Sequence, residues 1–327
     1  MDTNQNKNPL YTEVKRFTGR VPAGTFLLFA AAAAVCAAIL PEFGMISFVV
    51  ISAAVIFCAS AKANLLFFLI PLAGVGAAYF RSGIYFAALC GVLVVASFIS
   101  GQTLRRHGFF RALIMYTLVV YGAAVAGVAV YMKLHGITPA DLSQSLRIYI
   151  DGILQMSINS YSNSIPAESL ESIMLMYDDA LDALVMYSPV ILAWVIELCG
   201  IACIRIVGVC HNFTGSIHYP LYKRFAYGDK VFAYLFIASA LVGTFGSGVV
   251  GACAENTMMV LLVPGVCAGI AVNRRAVTER RSKGVRGLPI SLWIIIGCVV
   301  MSPIIGLMVL GITGAVDAIK RKTPPKK

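Results

Sequence analysis

Long runs of apolar residues alternate along the chain with short polar turns, and one interval breaks that rhythm. The apolar runs occupy about 25–40, 45–61, 64–80, 84–100 and 112–132, then about 189–209, 231–248, 252–272 and 288–316. Several windows of about 16–20 residues carry no charge at all, which is what a helix needs to cross a hydrocarbon core about 30 Å thick. The pattern predicts an all-α fold, a polytopic transmembrane bundle of about 9–10 hydrophobic helices.

The interval that differs is Ile137 to Ser188. It holds Asp141, Asp151, Glu168, Glu171, Asp178, Asp179 and Asp182, with Arg147 as its one base. Thr138-Pro139-Ala140-Asp141 has the form of a helix start: a capping hydroxyl, proline at the first helical position and an acid in the first turn. Leu142, Leu146, Ile150, Ile153 and Leu154 then share a face. Ser157 to Ser164 interrupts the pattern, and Pro166 opens a second helix with Leu170, Ile173, Met174, Tyr177, Leu181 and Leu184 at three- and four-residue spacing. The expectation is an external, acidic, amphipathic helical insert over 137–188 that lies on the outer membrane surface or, as its low affinity for anionic lipid favours, caps the bundle. It divides the chain into a cytoplasmic segment 1–24, a first transmembrane half 25–136 with five spans, the insert, a second transmembrane half 189–319 and a basic tail 320–327.

Composition sharpens this picture. Hydrophobic residues make up 59% and charged residues 13%, against about 25% charged in soluble domains, and mean hydropathy is +0.84. The net charge of +11 would otherwise suggest nucleic acid. Its placement in turns (Lys62; Arg105, Arg106 and Arg111; Lys223, Arg224 and Lys230; Arg274 to Arg286) instead fits loops held on the cytoplasmic side of a lipid bilayer. The N-terminus, with Lys7, Lys15, Arg16 and Arg20, is then cytoplasmic, and Arg81 is the one external exception. Residues 288–316 as a single helix would send the tail lysines outside. A hairpin at Ser302-Pro303 keeps them inside, with halves of only about 21 Å each, and is the expected form.

Candidate chemistry is sparse. The nine cysteines are odd in number and fall mostly within apolar runs, so they read as packable thiols rather than a disulfide framework. Cys199, Cys203, Cys210 and His211 lack the spacing of a metal site, and no metal or cofactor is expected. The chain contains no G-x-x-x-x-G-K-[ST] phosphate loop, no H-E-x-x-H and no G-x-S-x-G. The four histidines read as loop residues. Nothing argues for an enzyme.

Two kinds of residue remain as candidates. Small residues four apart let membrane helices approach closely: Ala30, Ala34 and Ala38 on the first span, Ala123 and Gly127 on the fifth, Gly265 and Gly269 on the eighth. They serve packing within the bundle or, for the alanine row, docking of another membrane subunit. Glu197 stands near the middle of the sixth span, where an ionised carboxylate costs several kcal/mol. It is read either as a group handling protons or substrate or as a structural hydrogen-bonding residue. Glu255 with Asn256 is the second polar spot and Asp317 the third, both with the position of interfacial caps.

Ala254-Glu255-Asn256, continued by Gly265-Val266-Cys267-Ala268-Gly269-Ile270-Ala271-Val272, resembles the asparagine-led helix of the YybS-type family of bacterial multi-spanning proteins of unknown function. Gly311 to Asp317 with Lys320-Arg321-Lys322 is similar to that family's closing signature, and Leu104 to Arg111 to its fourth-span turn. The chain departs from the family before the seventh span, where Tyr227-Gly228-Asp229 stands in place of Leu-Pro. The family's N-terminal half is in turn similar to substrate-binding subunits of energy-coupling-factor transporters. The resemblance implies a bacterial cytoplasmic membrane and a membrane coupling subunit with an ATPase as partners, the former meeting Ala30, Ala34 and Ala38. The expected function is a small-molecule binding or transport subunit without its own ATPase, its pocket among the first six helices near Glu197. The alternative is a non-transporting scaffold or regulator.

Overall fold

Backbone groups in an apolar run find no water in a bilayer and must satisfy one another, which makes the run helical. The computed structural model describes residues 21–39, 44–161, 176–214, 230–284 and 288–320, and its apolar runs are helices. In chain order these are α1 (Ala23–Ala38), α2 (Met45–Ser60), a 3-10 turn (Leu65–Phe68) leading into α3 (Leu69–Ser82), α4 (Ile84–His107), α5 (Phe109–His135), α6 (Pro139–Tyr161), α7 (Tyr177–Met186), α8 (Ser188–Phe213), α9 (Lys230–Phe245), α10 (Gly248–Ser282), α11 (Ile290–Met301) and α12 (Pro303–Lys320). Among the described residues there is no strand. Six segments are long and apolar enough to cross a membrane: Leu65–Ser82, Ile84–His107, Phe109–His135, Ser188–His211, Val250–Ser282 and Pro303–Lys320. α1, α2, α9 and α11 are shorter apolar helices. The chain is an all-α, multi-pass membrane helix bundle.

Single glycines make the tightest turns. Gly83 (φ 86°, ψ −179°) joins α3 to α4 and Gly108 (φ 88°, ψ −176°) joins α4 to α5. That region of backbone space is essentially closed to any residue with a Cβ, so one residue suffices to reverse the chain.

Two units meet at α8. In the first, α2 is the hub, buried without a gap from Ile51 to Ser60 and packed by α1, α4 and α8, with α3 and α5 completing the ring. The second unit is α9 to α12, with α12 lying along α10 and α9. α8 touches α2 and α5 on one side and α10 on the other.

The contacts also sort the helix ends by charge. Ser60 reaches His211, Gly101 of α4 lies against Ile56 and Ala59, and Phe110 meets Phe232. The C-termini of α2, α4 and α8 and the N-termini of α5 and α9 therefore share one end, with Lys62, Arg105, Arg106, Arg111 and Lys230. Gly265 packs near Phe232, so the stretch of α10 beyond it, Arg274 to Ser282, extends past that same end. At the opposite end Tyr187 binds Glu255, and α5 delivers the chain to the acidic α6. Basic and acidic ends are thus separated by the length of the bundle.

Three features differ from the sequence reading and one agrees with it. α10 runs to Ser282, about 52 Å at 1.5 Å per residue, so the basic cluster expected to form a loop is helical. Ser157 does not end α6, because Ser157 and Ser160 donate their hydroxyls to the carbonyls of Ile153 and Met156 at 2.9 and 2.7 Å and so stay within the helix. None of the α6 side chains described is buried, and Ile148, Tyr149, Ile153 and Met156 are exposed. α6 packs chiefly on α7 and does not cover the bundle as a cap. The long apolar stretch 288–316 is broken at Ser302, which is extended (φ −159°, ψ 121°). Val299 lies against Gly306, and Ile295 and Leu310 line one cavity, so α11 and α12 fold back on each other as the hairpin reading expects.

The start of the second insert helix at Pro166, the N-terminal bases Lys7, Lys15, Arg16 and Arg20, and the tail beyond Lys320 lie outside the described residues.

Candidate functional site

The seam between α8 and α10 carries Glu197, the one buried acidic side chain among the described residues. α8 presents Ala193, Ile196, Glu197, Gly200, Cys203, Ile204, Val207 and His211 to the interior at helical spacing, all of them buried. Gly200 leaves room for Leu113 and Tyr116 of α5, which draws α8 deep into the bundle and takes Glu197 with it.

Glu197 is 2% exposed, and its Oε2 has no hydrogen-bond partner among the described residues. Cys267 of α10 lies within electrostatic reach of Glu197 and of Arg205, which places the carboxyl at the seam. One turn toward the acidic end, Trp194 donates its indole N–H to the Met259 carbonyl at 2.7 Å. Further on, the Tyr187 hydroxyl donates to Glu255 Oε1 at 2.9 Å. The Oδ1 of Asn256, beside Glu255, is buried and lacks a partner. Glu255 thus meets Tyr187 at the acidic end, Glu197 lies farther along α8, and among the described residues no hydrogen bond joins Glu197 to Glu255 or Asn256.

The alanine row of α1 and the glycine row of α10 are engaged inside the chain, whereas Gly127, of the row on α5, is exposed with open space about it. A Cβ on Gly74 of α3 would lie 2.6 Å from the Ala34 Cα, so Ala34 is covered by α3. Ala30 is fully buried and Ala38 partly so. Gly265 meets Gly311, and Gly269 sits against the Leu310 carbonyl, where an added Cβ would be 2.1 Å from the oxygen. These are the closest helix approaches of the second unit.

His211 is a correction to the sequence reading, which assigned it to a loop. It is fully buried in α8, 2.7 Å from the Ser60 hydroxyl, and its ring lies 4.8 Å from that of Phe57. Helix α8 simply continues past the apolar run that ends at Val209. Ser52 and Tyr116 make a similar link at 2.8 Å, and the Cys203 thiol donates to the Val49 carbonyl at 3.5 Å. Nothing in the spacing of single serines within an apolar run distinguishes these two from their neighbours. Among the described residues no three His, Cys, Asp or Glu side chains come together to hold a metal ion.

The insert holds itself together by charge. Arg147 of α6 pairs with Asp182 and, at 3.7 Å, with Asp178 of α7, while the Tyr177 hydroxyl donates to Asp151. Thr138 and Asp141 cap α6 reciprocally: the Asp141 carboxylate accepts from the Thr138 hydroxyl (2.6 Å) and N–H (2.8 Å), and the hydroxyl accepts from the Asp141 N–H (3.2 Å). The Thr138 hydroxyl, then its N–H, hold the Asp141 carboxyl below its ordinary value of 3.8.

One cavity among the described residues lies away from Glu197. It is an open groove of about 480 Å³ at the basic end, between α10, α11 and α12. Ile270, Leu292, Ile295 and Leu310 form its apolar wall and Asn273, Arg274 and Thr278 its polar one. Asn273 is held in place by donating to the Gly269 carbonyl at 2.9 Å and accepting from the Ser291 hydroxyl at 3.2 Å. Comparison of the chain with family models, with curated proteins and with solved structures gives no match.

Proposed function

We propose that this integral membrane protein binds a small molecule for passage across the bilayer, with Glu197 as its binding carboxylate and no motor of its own. The observation that supports the reading is the buried Oε2 of Glu197, without a partner at the junction of two packed units. An ionised carboxylate in mid-membrane costs roughly 2.5–3.5 kcal/mol even by the mildest scale, and among the described residues no hydrogen bond to Oε2 offsets that. Such a group suits a solute that brings a cationic or donating group to it. The seam, with α8 shared between the units, is where a relative motion would open a route from the acidic end past Asn256. Energy would come from a partner ATPase reached through a coupling subunit, since the chain has no phosphate loop.

A scaffold or regulatory role is the second reading. It is favoured by the engagement of Ala34 with Gly74 inside the chain, which takes up the alanine row expected to meet a coupling subunit. Cells lacking the native protein and expressing either wild type or Glu197→Gln separate the two. Solute uptake profiled by mass spectrometry should show at least one small polar solute lost in the variant, at equal membrane levels of protein. Identical profiles would remove the transport reading and leave the scaffold.

A further inference from the structure

The groove between α10 and α11 is independent of the Glu197 seam, and its chemistry is that of an amphiphile site. We infer that it holds an anionic phospholipid, with the headgroup on Arg274 and Thr278 and an acyl chain along Leu292 and Ile295. At about 480 Å³ it falls within the roughly 300–1,000 Å³ of ligand pockets. Its polar lining, Asn273, Arg274 and Thr278, comes from the basic end of α10, and its apolar lining comes from all three helices: Ile270 and Val277 on α10, Leu292 and Ile295 on α11, and Leu310 on α12.

Charge selects the headgroup. Between Arg274 and Lys283 there are five bases against one acid, and that acid, Glu279, is bound to Arg275 at 2.6 Å. Arg280 is turned to the Leu288 carbonyl at 2.9 Å, which fastens the start of α11 to α10 and keeps the groove's mouth at the basic end. Basic pockets between membrane helices at such an end take anionic headgroups. The exposed side chains beside the groove on α11, Ile290, Trp293 and Ile294, are apolar, with an aromatic at the interfacial level. The groove therefore opens toward the acyl region rather than to water alone. A free anion would leave the apolar wall unused, and a neutral lipid would bring no net negative charge to the five bases at this end.

The test uses the purified full-length chain in a neutral detergent, titrated with short-chain phosphatidylglycerol, phosphatidylcholine of the same chains, and inorganic phosphate, with thermal unfolding as the readout. Phosphatidylglycerol should raise Tm saturably, and the other two should not. Arg274→Gln should weaken the apparent Kd by about tenfold, the loss of one charge-assisted contact. Leu292→Trp, which fills the apolar wall, should abolish the shift, while Arg281→Gln stays within about twofold of wild type. Arg274 and Arg281 are exposed, so those variants keep the fold even if Leu292→Trp does not. Equal shifts with phosphatidylcholine, a shift with phosphate alone, or wild-type affinity in Arg274→Gln would each overturn the assignment.

Discussion

The two helical units are held together by different means. Around α2, packing is by large side chains and polar links: Phe29 stacks on Phe57 at 4.4 Å, Ser60 joins His211, and Ser52 joins Tyr116. Between α10 and α12 the contact is backbone against backbone, with Gly265, Gly269, Gly311 and Gly314 at the crossing. Lipid tails are as apolar as leucine, so helices in a bilayer gain little by hiding apolar surface and associate through close packing and hydrogen bonds. The first unit relies on both devices, while the second depends more on close approach. The first should tolerate loss of any one contact, and the second should fail at one glycine.

The largest effect is therefore expected at Gly269→Leu. With an added Cβ 2.1 Å from the Leu310 oxygen, α12 must move off α10, at a cost of about 3 kcal/mol, measurable by unfolding in mixed micelles. Near-wild-type stability would show that the glycines do not hold the second unit. In the first unit, Ser60→Ala or His211→Phe alone should cost about 0.5–1.5 kcal/mol, because each removes the buried Ser60–His211 hydrogen bond, while the Ser60 hydroxyl also has the Phe57 carbonyl as partner. The double variant should cost less than the sum, and strict additivity would deny the link.

The smallest effect falls outside both units, on α6. The depressed Asp141 pKa means that its contribution is present above 3.8 and is lost as pH falls through the lower folded value. Hydrogen exchange near residues 139–143, corrected for intrinsic rates, should rise over that acid range in wild type. In Thr138→Ala that step should shrink and move to higher pH, because only the N–H contact to the carboxylate remains. A step unchanged in the variant would mean that the cap does not set it.

How much of this was legible beforehand depends on whether a feature is local. The α6 cap could be read directly, because Thr138, Pro139 and Asp141 are neighbours in sequence and their geometry follows from the spacing. The helical membrane bundle followed from apolar length, and the break at Ser302 from the tail lysines. The depth of Glu197 followed from its central position in an apolar run. What stayed hidden depends on pairing between distant helices. The partner of Ala34 is Gly74, and the groove draws on three helices. His211 lies two residues past an apolar run, and only the packing of Ser60 shows that it is interior. The extent of α10 was missed for another reason: arginines end an apolar pattern but do not end a helix, since their own helix propensity is high.

The central claim is that the acidic insert and the basic helix ends lie on opposite sides of one membrane. Thiol labelling with an impermeant reagent tests it most directly, using Ser143→Cys in α6 and Ser282→Cys at the end of α10, both exposed, in a background with Cys253→Ser. In intact cells the cysteine at 143 should react and the one at 282 should react only after lysis. Labelling of both positions from the same side would contradict the account.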